Sequence, residues 1–195
     1  MASVSRYHPV LVAMHWLLAL LITAALALGT LVMARTSNTD PTKIEALRAH
    51  MGGGVFIALL MLLRLAIRTL SRRPAAADAG SAKLNTLAAI SHAAFYLLVF
   101  GMGLSGVFMA LQAGLFEVVF GGHGHLPPDL WVFPIRTVHY AISRLLMTLV
   151  VLHIAGAIYH TFVLRDGLLH RMWFGRRWIA APSGQATNQG RRNLT

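Results

Sequence analysis

The chain has 195 residues, 56% of them hydrophobic and only 12% charged, against about a quarter charged in an ordinary soluble domain. Its formal net charge of +11 does not point to nucleic acid, because the basic residues flank apolar blocks and fill the tail, with no aromatic-basic groove among them. The absence of cysteine among residues that include ten histidines excludes disulfides, thiolate metal sites, iron–sulfur clusters and covalent haem attachment, leaving histidine and oxygen as ligands for any redox metal.

Four apolar blocks reach the length of about 20 residues needed to cross a bilayer, so the expected fold is an all-α, integral membrane four-helix bundle. The first runs from Val10 to Met33. It has no convincing signal-peptide cleavage site and carries His15 and Trp16, so it reads as a retained span. The loop from Arg35 to Arg48 contains Asp40-Pro41, a turn and cap signal for the second block, Ala49 to Ile67, whose end is interrupted by Arg64. A basic loop rich in Ala, Pro and Gly follows from Arg68 to Lys83, then the third block, Leu87 to Leu111. Within it, Gly101 to Gly106 formally matches a dinucleotide fingerprint, but no βαβ unit surrounds it, so these are helix-packing glycines. The connection Gln112 to Arg136, with Gly121-Gly122 and Pro127-Pro128, is expected to be irregular. The fourth block runs from Thr137 to Leu164, and Trp173 and Trp178 in the basic tail suit a membrane interface. The division is a four-helix domain over 1–175 and a basic polar tail over 176–195, expected to be disordered.

Lys and Arg set the orientation. Arg6, Arg64, Arg68, Arg72, Arg73, Lys83, Arg165, Arg171, Arg176, Arg177, Arg191 and Arg192 fall on the side of both termini, and only Arg35, Lys43, Arg48 and Arg136 on the other. The positive-inside rule then predicts both termini in the cytoplasm.

An ionisable residue within a span is costly and is a functional candidate by default. His139 and His153 are fourteen positions apart, nearly four helical turns, so they share a face at depths about 21 Å apart. With alternating helix directions, His15 falls level with His153 in the inner leaflet, and His50 level with His139 in the outer. The pattern predicts two bis-histidine sites, His15/His153 and His50/His139, each suited to the iron of a haem in a bundle interior. Unrelated polar helix contacts are the alternative. Gly52, Gly53 and Gly54 clear side chains beside His50 for a flat ligand, or simply pack helices. Arg64, fourteen positions after His50, repeats its face and either pairs with a haem propionate or snorkels to the interface. His92 is a rival ligand for the inner site. His160, seven positions below His153, is a candidate to hydrogen-bond a quinone or a propionate, or is an interfacial histidine. Arg144 lies in the fourth span about 7.5 Å below His139 on another face and needs an internal partner that the sequence does not name. His8, His123, His125 and His170 read as solvent or interface residues; His123-Gly124-His125 is a weak candidate for a surface metal.

Met14-His15-Trp16-Leu17, His50-Met51-Gly52-Gly53-Gly54, Arg64 with Arg68, Ser91-His92 with Tyr96, and His139, His153 and His160 followed by Arg165-Asp166-Gly167-Leu168-Leu169-His170-Arg171-Met172 together resemble the bacterial cytochrome b561 family over residues 5–175. The resemblance implies two non-covalent b haems with His15, His50, His139 and His153 at the ligand positions, in a multi-pass protein of the bacterial inner membrane. Length and layout look most like the superoxide oxidase branch, which passes electrons from periplasmic superoxide to ubiquinone. Arg144 stands where that pattern leads one to expect an uncharged residue. In such a protein Lys43, Arg48, Trp131 and Arg136 would mark where superoxide approaches, their cations steering a small anion, and His160, Arg6 and His8 would face the quinone. The competing function is a non-catalytic electron-carrier cytochrome subunit of a hydrogenase or dehydrogenase, working through a redox partner subunit. A fluorescent reporter fused after Thr195 is expected to be bright in cells and a phosphatase fused there to be inactive; the reverse pair would invert the orientation.

Overall fold

A computed structural model describes residues 4–178. Positions 179–195 of the expected tail lie outside the described residues. Helix α1 (Pro9–Ala27) starts with proline in its first turn and with the His8 ring accepting the Val10 N–H, and continues through a wide π-helical stretch, Leu28–Met33. Helix α2 (Thr42–Leu70) begins well before the apolar block. The Asp40 carboxylate accepts from the Thr42 N–H at 2.8 Å and from its hydroxyl at 2.7 Å, satisfying donors that a helix start leaves free. Helix α3 (Ala82–Gln112) is capped by the Ser81 hydroxyl, which accepts from Leu84 N–H. Helix α4 (Pro134–Tyr159) runs on as a π-helical stretch, His160–Leu164, and stops at Arg165, whose φ of 52° is left-handed. A single turn, α5 (Leu168–Arg171), follows. These four long helices are long and apolar enough to span a membrane, and no β-strand occurs among the described residues.

Sequence-adjacent helices pack on one another. Midway along the bundle they bury Leu18 and Ile22 of α1, Ile57 and Met61 of α2, Val99 of α3 and Leu146 of α4. Leu20, Leu59, Leu97 and Val151 point outward, the arrangement expected when the solvent is hydrocarbon. The connection after α3 is more ordered than expected. It contains a π-helical turn, Glu117–Gly121, and a 3-10 turn, Leu130–Val132. The reason is apolar: Leu115 and Val119 are buried with Leu47 of α2 and Ala110 of α3 in a second small core.

On the side of both chain ends, backbone bonds join Ser5 to Trp178 and Tyr7 to Arg171. The Arg6 guanidinium donates to the carbonyls of His170, Trp173 and Phe174, and Arg177 donates to those of Arg6 and Arg72. Both ends and the α2–α3 connection therefore form one platform. On the opposite side Lys43 is buried, 4% exposed, with its ammonium donating to the carbonyls of Met33 and Thr36. It closes the carbonyl end of α1, where a cation is also favoured by the helix dipole. Lys43→Met is expected to lower the thermal midpoint in detergent, with a cost of about 1.5–3 kcal/mol for a lost charged hydrogen-bond set; an unchanged midpoint would contradict this role.

Candidate functional site

The in-span histidines come together in two layers, one on each side of the apolar middle; inner denotes the layer nearer Ser5 and Trp178, and outer the other. In the outer layer the ring centres of His50 and His139 are 6.2 Å apart with planes at 76°. In the inner layer those of His15 and His153 are 6.2 Å apart with planes at 68°. Two imidazoles on opposite sides of one metal ion put their ring centres about 6.2 Å apart, from two bonds of about 2.0 Å and about 1.1 Å more from each nitrogen to its ring centre. Both pairs have the spacing of a shared axial ion.

Local packing explains why these rings face one another. His139 is 8% exposed, and its Nδ1 is hydrogen-bonded to the Ser105 hydroxyl of α3 at 2.9 Å. That contact fixes the ring and leaves Nε2 as the free nitrogen, the role outer contacts play for metal-binding histidines. A Cβ added at Gly106 would sit 3.4 Å from His139 Cε1, and one at Gly29 would sit 3.7 Å from His50 Cε1. Neither contact was legible in the sequence, since Ser105 and His139 are 34 positions apart. His50 Nδ1 is buried with no hydrogen-bond partner. Gly53 and Gly54, on the face of His50 by i+3 and i+4 spacing, have nothing within 4 Å of an added Cβ, and neither does Gly156, three positions after His153. Space beside the histidines is thus kept free of side chains.

His92 approaches His153 at 5.8 Å between ring centres, and Phe95 at 5.2 Å. His92 is exposed at the edge of the inner layer, so His153 has a second histidine beside it. Arg64 donates to the Tyr96 hydroxyl at 2.8 Å and has a buried, unpartnered Nε. Tyr96 lies four positions after His92 on α3, so this bond puts Arg64 beside the inner layer. Arg136 lies three positions before His139 at the start of α4, with its guanidinium 4.6 Å from the Trp131 ring centre. Trp131 is half exposed and lies edge-on to Tyr140 at 5.5 Å.

The four residues grouped as a superoxide approach do not share one role. Lys43 is buried and committed to the end of α1. Arg48 donates to the Val119 carbonyl at 2.7 Å and to Glu45 at 2.6 Å. Trp131 and Arg136 are left at the outer mouth. On the other side, Arg6 and His8 are engaged by backbone groups, and His160 is the buried polar group, 9% exposed. Its Nδ1–H donates to Asp166 at 2.7 Å, while the Leu168 N–H donates to the second Asp166 oxygen at 2.9 Å. Burial pushes the Asp166 carboxyl up, but the His160 hydrogen bond, the Leu168 N–H and the charges of His160 and Arg171 hold it below the ordinary carboxylate range. His123 and His125 are exposed, and no group of three metal-binding side chains occurs among the described residues.

Two comparisons relate the chain to known proteins. A model of the family described as prokaryotic cytochrome b561 matches residues 6–175. The chain is 28% identical over 172 residues to cytochrome b561 homolog 2 of Escherichia coli (strain K12), covering 86% of this chain and 90% of that protein. If the outer pair grips a haem, Gly106→Leu, which drives a side chain into His139, is expected to lower the haem-to-protein ratio of the purified protein. Gly103→Ala, whose new Cβ would meet Ala58 at an ordinary 3.7 Å, is expected to leave it unchanged. Equal ratios in both variants would show that the glycine does not position the ring.

Proposed function

Because the chain belongs to the prokaryotic cytochrome b561 family, and so is a membrane electron-transfer protein that binds haem b, we propose that it holds two haems b and carries electrons across the bacterial inner membrane from periplasmic superoxide to ubiquinone. His15 and His153 ligate one iron, and His50 and His139 the other. The observation that carries this reading is the pair of 6.2 Å ring separations on either side of the apolar layer built on Leu18, Ile57, Val99 and Leu146. Bound haem supplies a one-electron ferric/ferrous couple.

The chain's own residues supply binding, orientation and charge. Arg64 answers an inner propionate, since no Asp or Glu is paired with it among the described residues. Arg136, held over Trp131, draws a small anion to the outer mouth. Both termini lie on the cytoplasmic side, where His160 faces the quinone. The Asp166 carboxylate accepts from His160 Nδ1–H, which leaves Nε2 as the nitrogen that takes protons from cytoplasmic water and hands them on to the reduced quinone. The reaction balances: two superoxide anions each lose one electron to become dioxygen, and ubiquinone gains two electrons and two protons to become the quinol.

Superoxide added to the oxidised, purified protein is expected to reduce its haem within the mixing time, and ubiquinone added afterwards to reoxidise it. Arg136→Gln is expected to slow the first phase at least several-fold at low ionic strength, with the gap closing as salt screens the charge. Reduction that requires a separate partner subunit would overturn the superoxide reading in favour of the carrier cytochrome.

A further inference from the structure

The mechanism leaves one charged residue inside the membrane unused. Arg144 lies on α4 five positions after His139 and nine before His153, so it is about 7.5 Å in depth from the first and about 13.5 Å from the second. Its guanidinium reaches across to α1 and donates to the Thr30 hydroxyl at 3.0 Å. The same group lies 4.9 Å from the Tyr140 ring centre, and its Nε is buried with no partner. Both contacts are neutral. They hold the cation in place without cancelling its charge, and the protein's Asp and Glu residues all lie in connections or at helix ends. Thr30 adjoins Gly29, whose backbone abuts the His50 ring, so the cation is fixed on the segment that backs the outer histidine pair. Taking a guanidinium out of water is costly, and two neutral contacts are little return for a purely structural strap.

We infer that Arg144 is a positioning charge for electron flow: an uncompensated cation that raises the electron affinity of the outer His50/His139 site above what the histidines alone give. This inference rests on the two-haem reading. Reduction adds one electron to the outer site, and a fixed positive charge in a low-dielectric surrounding stabilises that added negative charge. The outer site, nearer in depth, feels it more than the inner.

The test is a spectroelectrochemical titration of the purified holoprotein, with haem counted per chain and the outer haem identified as the one lost in His139→Ala. Arg144→Gln is expected to keep two haems and to make the outer one harder to reduce by about tenfold in equilibrium constant, which is 59 mV for one electron, with a smaller change at the inner one. Arg144→Lys, which restores the charge, is expected to recover most of the shift. Thr30→Asp keeps Arg144 but sets a carboxylate against it, and is expected to move the outer haem in the same direction as Arg144→Gln; it carries the test if the Gln variant loses haem. Outer potentials unchanged in the Gln and Asp variants, or equal shifts at both haems, would overturn the inference. A wild-type protein with fewer than two haems would instead overturn the reading beneath it.

Discussion

An imidazole held among hydrocarbon side chains must find a partner, because an unpaired polar group costs several kcal/mol where no water can reach it. His139 meets part of that demand through Ser105, while His50 Nδ1 has no protein partner; in the proposed reading the iron shared by each facing pair would meet the rest, and the pairs determine much else in the bundle. Their depths are set by fourteen positions of α4, the distance from His139 to His153. The small residues follow from the same demand. Gly29 and Gly106 let α1 and α3 press against His50 and His139, and Gly53, Gly54 and Gly156 leave space beside the rings. Between the layers the chain returns to ordinary apolar packing.

Charge is distributed by a second rule. Cations enter the spans and acids do not: Asp40, Glu45, Asp78, Glu117, Asp129 and Asp166 all sit at helix ends or in connections. Arg64 and Arg144 therefore bring positive charge into the bundle with only neutral groups to hold it, the Tyr96 hydroxyl for the first and the Thr30 hydroxyl and Tyr140 ring for the second. A bundle that binds an anionic macrocycle and accepts electrons has use for such charge. One without them would pay a desolvation cost with nothing in return.

Much of this is legible in the sequence. Apolar block length predicts the spans, and histidine spacing with alternating helix direction predicts which rings share a depth; His15 and His153, and His50 and His139, do face each other. Helix ends are less legible from block length: Asp40-Pro41 reads as the cap of α2, but the helix it starts begins at Thr42, seven positions before the apolar block. The connection after α3 is irregular over 122–129 as its glycines and prolines predict, and the short turns on either side of that stretch owe their order to Leu115 and Val119, whose burial the turn residues do not announce. Lys43 illustrates the limit of counting charges: composition offers it to solvent, whereas the fold spends it on the end of α1. Contacts such as Ser105 with His139, or Thr30 with Arg144 across 114 positions, depend on helix rotation, which block length and periodicity do not specify.

The central claim is that crossed imidazole pairs each clasp one iron. Low-temperature electron paramagnetic resonance of the oxidised protein, with haem counted per chain, tests it most directly. Two haems b and two low-spin ferric signals are expected, both strongly anisotropic because the paired ring planes cross at 68° and 76°. A high-spin ferric centre, or one haem per chain retained equally in His15→Ala and His50→Ala, would contradict it.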